Sequence, residues 1–144
     1  MKIGFIGVGN MGGPMCRNLL KNSDHEVTVF DLSTAAVARC TELGAKAGAS
    51  PRAVAADADV VMTSLPHPRD VEQVVLGAGG IAESIKPGAV YCDLSTNSPL
   101  TVRKLSAVLG QQGVSMLDAP VSGGVVAADK RSEEHTSELQ SLSS

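Results

Sequence analysis

The residues best suited to chemistry near the start of the chain are three glycines that follow an apolar run. The run KIGFIGV leads directly into GVGNMGG, in which Gly7, Gly9 and Gly12 have the spacing G-x-G-x-x-G. Gly7 allows a tight turn, Gly9 lets the backbone approach a pyrophosphate, and Gly12 lets the following helix pack closely on the strand. Free N–H groups at the helix start, with those of Asn10 and Met11 as the predicted donors, would face the phosphates. The pattern predicts a dinucleotide site, and the alternative is a glycine-rich turn with a structural role.

An acidic residue ends the second predicted strand, EVTVFD, about 20 residues after the glycines. The carboxylate of Asp31 can accept hydrogen bonds from both ribose hydroxyls of NAD, and it would repel the 2′-phosphate of NADP. The next residue, Leu32, is not an arginine that could hold that phosphate. NAD is therefore the favoured cofactor, and NADP is not excluded. Asp31 could also cap the next helix, a role compatible with ribose binding, while Ser33 and Thr34 leave the cap undecided.

The elements that must position these residues alternate between strands and helices. Strand patterns occur at KIGFIGV, EVTVFD, DVVMTSL, GAVYCDLS and VSMLDAP, with helical patterns between them. Ser50 before Pro51 and Ser98 before Pro99 mark helix starts, and Gly44 marks a helix end. Short links in a β-α-β-α order predict a single α/β domain, a Rossmann-type doubly wound parallel sheet with helices on both faces.

Composition narrows the partners and the compartment. The 144 residues carry a net charge of −3, which does not predict a nucleic-acid-binding surface or attraction to an anionic membrane. No apolar run reaches the roughly 18 residues of a transmembrane helix, and the chain does not begin like a signal peptide, so a cytoplasmic protein is expected. Cys16, Cys40 and Cys92 lack metal-ligand spacing, and they are expected to be small buried side chains in a reducing compartment.

Three motifs, in order along the chain, resemble those of the β-hydroxyacid dehydrogenases. That family includes 3-hydroxyisobutyrate dehydrogenase, tartronate semialdehyde reductase and, more distantly, 6-phosphogluconate dehydrogenase. The motifs are GFIGVGNMGGPMCRNL, VYCDLSTNSP and DAPVSGG, and the resemblance covers Met1 to about Lys130. It implies the NAD(P)-binding Rossmann domain of an oxidoreductase that acts on a small β-hydroxy acid or semialdehyde, in a parent protein that forms homo-oligomers.

The resemblance also implies roles for residues on the nicotinamide side of the cofactor. The backbone at Leu65 and Pro66, in the sequence TSLP, would lie along the nicotinamide ribose. Thr96 would lie near the nicotinamide ring. The alternative for Thr96 is a cap of the helix that begins near Pro99.

In DAPVSGG, the resemblance implies that Ser122, Gly123 and Gly124 hold the substrate carboxylate through a hydroxyl and backbone N–H groups. A Ser-Gly-Gly loop just after a strand offers closely spaced N–H donors, which can form an anion-binding concavity. Loops at the carboxyl ends of strands are also where open α/β sheets bind ligands. The alternative is a plain turn.

The reaction implied by the resemblance is reversible oxidation of a β-hydroxy acid, in which the hydroxyl carbon gives a hydride to the nicotinamide while a base takes the hydroxyl proton. In the family that base is a Lys on a helix of a second, all-helical domain. No lysine of this sequence lies in the family's G-x-x-x-G-x-G-x-x-x-K context. The parent is therefore predicted to be a dehydrogenase acting on CH–OH. This chain, with the C-terminal helical domain absent, is expected to supply no catalytic residue and to turn over little or nothing.

The last residues differ in character from the rest. From Arg131 the sequence RSEEHTSELQSLSS is polar and fits no element of the fold. Arg131 through Gln140 resemble, residue for residue, the conceptual translation of a common sequencing-library adapter. We therefore expect a dinucleotide-binding domain at 1–130, incomplete at its C-terminal end, and a non-native, disordered polar tail at 131–144. The alternative is a natural polar tail.

Two other functions are compatible with the fold. One is a non-enzymatic nucleotide-binding or regulatory module, and the other is a different Rossmann enzyme that binds another adenine nucleotide, such as a methyltransferase. The motifs DLSTNSP and DAPVSGG argue against the second of these. A downstream coding sequence with the helix-borne Lys would favour the dehydrogenase over the first.

Overall fold

The computed structural model describes residues 1–120, and the elements in that range follow the predicted alternation. The strands are β1 (Lys2–Ile6), β2 (Glu26–Phe30), β3 (Lys46–Ala47), β4 (Val60–Thr63), β5 (Val90–Asp93) and β6 (Ser115–Asp118). The helices are α1 (Gly12–Asn22), α2 (Thr34–Thr41), α3 (Pro51–Ala55), α4 (Pro68–Leu76) and α5 (Pro99–Gln111). A 3-10 helix covers Ile81–Glu83.

The strands form one parallel sheet in the order β3-β2-β1-β4-β5-β6. β1 lies near the middle, and Phe5 pairs with Val29 of β2 on one side and with Met62 of β4 on the other. The chain therefore winds outward from β1 in one direction through β2 and β3, and then in the other through β4, β5 and β6. This order confirms the predicted doubly wound, Rossmann-type sheet.

Helices cover both faces of the sheet, because successive strand residues point to opposite sides. Phe5 belongs to the hydrophobic cluster that includes Cys16 of α1 and Cys40 of α2. Ile6 belongs to the other cluster, which contains side chains of the remaining helices, namely Val54, Val71, Val75, Leu105 and Leu109. Within residues 1–120 no helix is long and apolar enough to cross a membrane.

The cysteines are buried free thiols, as the sequence predicts. Cys16 and Cys40 lie where α1 and α2 pack on the sheet, and Cys92 lies on β5 in the same cluster. Burial raises the pKa of the Cys92 thiol to about 12, so this side chain behaves as a small apolar residue near neutral pH.

Serine side chains cap three of the helices, and this resolves two alternatives left open by the sequence. The Ser33 hydroxyl accepts a hydrogen bond from the N–H of Ala36 (3.2 Å), so Ser33 rather than Thr34 caps α2. Ser98 accepts from the N–H of Thr101 (3.1 Å) and caps α5. Thr96 is therefore not the cap of that helix. Ser50 caps α3 in the same way, through the N–H of Ala53.

Two short elements are absent from the sequence prediction. β3 has only two residues, Lys46 and Ala47, both exposed, and it exists because Thr28 and Val29 of β2 pair with them. The 3-10 helix at Ile81–Glu83 is a single turn that buries Ile81. Neither is long enough to show a repeating apolar pattern. The predicted end of the domain at residue 130 and the predicted tail at 131–144 lie outside the described residues.

Candidate functional site

A cleft of about 940 Å³ opens at the carboxyl ends of the parallel strands. It lies where the direction of winding reverses between β1 and β4, which is the position at which open α/β sheets bind ligands. Every residue that the sequence analysis assigns to cofactor binding lines it: Gly7, Gly9, Asn10, Met11, Gly12, Asp31, Leu65, Pro66 and Thr96. The fold thus brings together residues from four separate parts of the chain.

Gly7 makes the turn out of β1 in a conformation that favours glycine, with φ +93°. Its N–H donates a hydrogen bond to the carbonyl oxygen of Phe30 at 3.0 Å, which ties the turn to the end of β2. A Cβ at this position would lie only 2.1 Å from the carbonyl oxygen of Ser64. Both backbone conformation and space therefore require glycine here.

Gly12 and Gly9 have different surroundings. A Cβ at Gly12 would lie 1.9 Å from the carbonyl oxygen of Gly7 and 2.9 Å from Cβ of Ser64. Gly12 is thus needed for the close contact of α1 with the strand ends. A Cβ at Gly9 would meet no atom within 4 Å, and Gly9 lines the cleft. The protein itself does not demand glycine at position 9, so its lack of a side chain matters only for something that enters the cleft.

The start of α1 presents backbone donors without acceptors. Within residues 1–120 the N–H groups of Asn10, Met11 and Gly12 have no hydrogen-bond acceptor, and the N–H of Gly13 is the first that bonds within the turn, to the carbonyl oxygen of Gly9 at 2.8 Å. No side chain caps the helix, and no acidic residue lies in its first turn. Such a helix start favours an anion such as a pyrophosphate.

The Asp31 carboxylate is fixed at the rim of the cleft by two backbone N–H groups. Its Oδ2 accepts from the N–H of Val8 and its Oδ1 from the N–H of Ser33, each at 2.9 Å. A carboxylate oxygen has two lone-pair sites, so each oxygen keeps one for a further donor. The neighbouring side chain, Leu32, is 92% exposed and lines the same part of the cleft. The rim therefore carries an acceptor group and an apolar neighbour, with no cation at position 32.

On the other side of the cleft, the loop after β4 and the loop after β5 are joined by a side chain. The N–H of Leu65 donates to Oγ of Ser95 at 2.8 Å. Pro66 and Thr96, the next residues of each loop, line the cleft. Ser95 is itself buried and was not predicted as part of the site.

A polar cluster lies beneath these two loops and is called the Asp93 cluster below. It is formed by the buried residues Thr63, Tyr91 and Asp93 together with the half-buried Asn97. Asp93 Oδ1 accepts from Oγ1 of Thr63 and from the N–H of Ser95, both at 3.0 Å, and its Oδ2 accepts from Nδ2 of Asn97 at 2.8 Å. The hydroxyls of Thr63 and Tyr91 are 2.5 Å apart. Burial, together with the Asp93 carboxylate, raises the pKa of Tyr91 well above its usual value. The phenol is therefore neutral and can donate to Thr63.

The far wall of the cleft was missed by the sequence analysis. Its residues come from α4 and from the segments around α3 and the 3-10 helix, and they include Pro51, Asp70, Gln73, Val74 and Gly79. Their spacing matches no motif. The only indication of these residues is their place in the topology, because each lies in or next to an element that neighbours a strand ending at the cleft.

Within the described residues no three His, Cys, Asp or Glu side chains converge closely enough to hold a metal ion. The predicted substrate residues Ser122, Gly123 and Gly124 lie outside the described residues.

The chain resembles known proteins over most of its length. Residues 2–133 match the family model described as the NAD binding domain of 6-phosphogluconate dehydrogenase. A probable mitochondrial 3-hydroxyisobutyrate dehydrogenase of Dictyostelium discoideum is 42% identical over 127 residues, which cover 88% of this chain and 39% of that protein. An NAD-dependent L-serine dehydrogenase of Pseudomonas aeruginosa is also 42% identical over 127 residues, covering 88% of this chain and 42% of that protein.

A solved structure of Psf3 in complex with NADP+ and 2-OPP has a TM-score of 0.81 at 32% identity, and the match covers 89% of this chain and 45% of that one. The chain spans about two fifths of the length of the curated relatives named above. The match to the family model extends over nearly the whole chain. This chain belongs to the family of the NAD(P)-binding domain of 6-phosphogluconate dehydrogenase, which it shares with the 3-hydroxyisobutyrate dehydrogenases.

Proposed function

We propose that the chain binds NAD in the cleft, as the cofactor-binding part of a dehydrogenase that oxidises a small β-hydroxy acid. The observation that carries the proposal is the pairing, in one cleft, of acceptor-free N–H groups at the start of α1 with the Asp31 carboxylate at the rim. Donors there suit a pyrophosphate and acceptors suit ribose hydroxyls. The name of the Pseudomonas relative, an NAD-dependent dehydrogenase, supports the same cofactor.

The residues present fit the dinucleotide along its length. The N–H groups of Asn10, Met11 and Gly12 would bind the pyrophosphate, and the bare Cα of Gly9 would allow it to come close. Asp31 would accept from the adenosine ribose with the lone pairs that its two backbone contacts leave free. The loops carrying Leu65, Pro66 and Thr96 would border the nicotinamide end.

The bound dinucleotide would supply the hydride acceptor, while this chain positions it. The loops around Leu65 and Thr96 would form one wall of the cleft at its nicotinamide end and limit the access of water there. Substrate contacts through Ser122, Gly123 and Gly124, and removal of the hydroxyl proton by a Lys of a helical domain, remain part of the proposal for the whole protein. The substrate class rests on the names of the relatives, which include 3-hydroxyisobutyrate and L-serine dehydrogenases.

The choice between NAD and NADP can be tested by calorimetric titration of the chain with each cofactor. NAD is expected to bind more tightly, because a 2′-phosphate would lie against the Asp31 carboxylate. Tighter binding of NADP, the cofactor present in the Psf3 complex, would contradict our interpretation of Asp31.

A substitution at the rim sharpens this test. Leu32→Arg places a guanidinium beside the position of a 2′-phosphate and disturbs no packing, because Leu32 is 92% exposed. It should raise the affinity for NADP by about tenfold and leave that for NAD nearly unchanged. Leu43→Arg is the matched control, since Leu43 is also exposed but does not line the cleft. Equal gains in NADP affinity from both variants would show a general charge effect instead.

A further inference from the structure

The fully buried carboxylate of Asp93 calls for an explanation, because it does not line the cleft and has no part in the contacts described for the dinucleotide. Removing a carboxylate from water is costly unless hydrogen bonds replace the lost solvent. Here three donors do so, and they come from two segments: Thr63 from the end of β4, and Ser95 and Asn97 from the loop after β5. Asp93 therefore joins the ends of two strands below the cleft.

The hydrogen bonds continue from Asp93 into both cleft loops. Ser95, whose N–H binds Asp93, accepts the N–H of Leu65 on its hydroxyl and so holds the loop after β4. Asn97 donates to Asp93 and, through its Oδ1, accepts the N–H of Ser98 at 2.8 Å. Ser98 in turn caps α5. The backbone on either side of Thr96 is thereby fixed from below.

We propose that Asp93 is the positioning residue for the nicotinamide end of the cleft, holding the Leu65–Pro66 and Ser95–Thr96 segments in their relative arrangement. The inference rests on the proposed function, because it assumes that these segments border the nicotinamide. It assigns no contact between Asp93 and the cofactor. Asp93 acts through Ser95 and Asn97, and none of the hydrogen bonds described for the Asp93 cluster reaches the glycine-rich turn on the opposite side of the cleft.

The hydrogen-bond directions make the carboxylate specific, because an amide at position 93 cannot satisfy the same partners. Asp93 Oδ1 faces the N–H of Ser95, which can only donate, so an Asn would have to keep its oxygen there and turn its NH₂ toward Nδ2 of Asn97. If Asn97 then reversed its own amide, its NH₂ would meet the N–H of Ser98. Asp93→Asn thus leaves a donor facing a donor at one of two places, whichever way the amides turn.

Exchanging the two side chains removes the conflict. In the double variant Asp93→Asn with Asn97→Asp, the amide at position 93 donates to the carboxylate at position 97, and the second oxygen of that carboxylate accepts the N–H of Ser98. Every hydrogen bond is restored with the donor and acceptor roles of one contact reversed. The double variant is therefore a rescue for the single variant.

The test compares the affinities of the full chain for NAD and for ADP, which lacks the nicotinamide and its ribose. In Asp93→Asn the affinity for NAD should fall by about tenfold, while that for ADP changes by less than about twofold. The double variant should restore the affinity for NAD. Tyr91→Phe is the control within the same cluster, because its hydroxyl contacts Thr63 but neither cleft loop. It should lower the thermal midpoint and leave the ratio of NAD to ADP affinity unchanged.

Several results would overturn the inference. They are an equal loss of NAD and ADP affinity in Asp93→Asn, a double variant that is not rescued, or an unmodified chain that binds NAD no more tightly than ADP. If Asp93→Asn does not fold, Ser95→Ala takes its place, since it removes only the acceptor for the N–H of Leu65 and should show the same selective loss. An unmodified chain that binds neither NAD nor ADP would instead contradict the proposed function itself.

Discussion

Two glycines of the same turn are predicted to respond in opposite ways to a single added methyl group. Gly9→Ala puts the methyl into the open cleft, where no protein atom lies within 4 Å of it. Gly12→Ala puts the methyl 1.9 Å from the carbonyl oxygen of Gly7. The first variant should lose ligand binding with its stability intact, and the second should lose stability.

The magnitudes follow from these surroundings. At Gly12 the obstacle is backbone, which cannot rotate away as a side chain can, so the cost lies at the upper end of the overpacking range, about 3 kcal/mol. For a chain of 144 residues this corresponds to a fall in the thermal midpoint of about 10 °C. At Gly9 the φ angle is not positive, and an alanine restricts the unfolded chain, so stability should stay the same or rise by up to about 1 kcal/mol.

The effect of Gly9→Ala on binding is estimated from the hydrogen bonds that it prevents. A hydrogen bond to a charged group contributes about 1.5–3 kcal/mol. If the methyl keeps the pyrophosphate from one N–H group of the turn, the affinity for NAD should fall by roughly 10- to 150-fold. Urea denaturation gives the free energy of unfolding of each variant, and calorimetric titration with NAD gives the affinity.

Gly110→Ala is the matched control. Gly110 lies in α5, where an added Cβ also meets no atom within 4 Å, but it does not line the cleft. It should raise the free energy of unfolding by about 0.5–1 kcal/mol and leave NAD binding unchanged. If Gly9→Ala binds NAD as well as Gly110→Ala does, the turn does not approach a pyrophosphate. If Gly12→Ala unfolds at the same urea concentration as the unmodified chain, this result contradicts the close approach of position 12 to the carbonyl oxygen of Gly7.

Three further predictions concern stability and reactivity. Ser33→Ala should lower the free energy of unfolding by about 1 kcal/mol through loss of the α2 cap, whereas Thr34→Ala should change it by less than about 0.5 kcal/mol; equal effects in urea denaturation would contradict the cap assignment. Burial and the nearby Asp93 carboxylate raise the pKa of Asp118, so ionising this carboxyl group opposes folding. The free energy of unfolding of Asp118→Asn, relative to that of the unmodified chain, should therefore increase as the pH rises from about 4 through the pKa of Asp118. An unchanged difference between the two chains across this pH range would argue against this. The three cysteine thiols, of Cys16, Cys40 and Cys92, are buried, so Ellman's reagent should react slowly with the native chain. It should react at once with the chain unfolded in roughly 6 M guanidinium. Immediate reaction of any thiol in the native state would be inconsistent with the packing.

The features that could be predicted from sequence are those whose geometry is local. The glycine spacing and Asp31 belong to one β-α-β unit of about 30 residues, so their positions relative to one another follow from the chain itself. Ser50 and Ser98 were predicted as caps because a cap contacts a backbone group only three residues away. The sequence left the choice between Ser33 and Thr34 open because both residue types are good helix caps. Only the position of the first helical turn decides between them.

The features that were missed depend on which strands become neighbours. Thr63 and Asp93 are 30 residues apart in sequence and meet because β4 and β5 pair in that register. Asp93 stands within the motif DLSTNSP, yet nothing local indicates that its carboxylate turns inward to Thr63. The far wall at Gln73 and Gly79 likewise becomes part of the cleft only when α4 packs against the 3-10 helix and α5. The pattern of residues along the sequence does not indicate which strands and helices become neighbours.

The two sides of the cleft are built by different means, and this predicts different sensitivities to mutation. On the β1–β2 side the ligand would meet backbone N–H groups, bare glycine Cα atoms and the Asp31 carboxylate. Substitutions that add atoms to the glycine-rich turn should be harmful there, and side chains other than that of Asp31 should be replaceable. On the β4–β5 side the loops depend on side-chain hydrogen bonds from Asp93, Ser95 and Asn97. There, removing or reversing a polar group should be harmful even when volume is conserved. A scan with alanine would therefore detect the second side through lost hydrogen bonds. It would detect the first side through Asp31 and through the methyl groups that it adds at Gly7, Gly9 and Gly12, where the added atoms, and not the loss of a contact, disrupt the site.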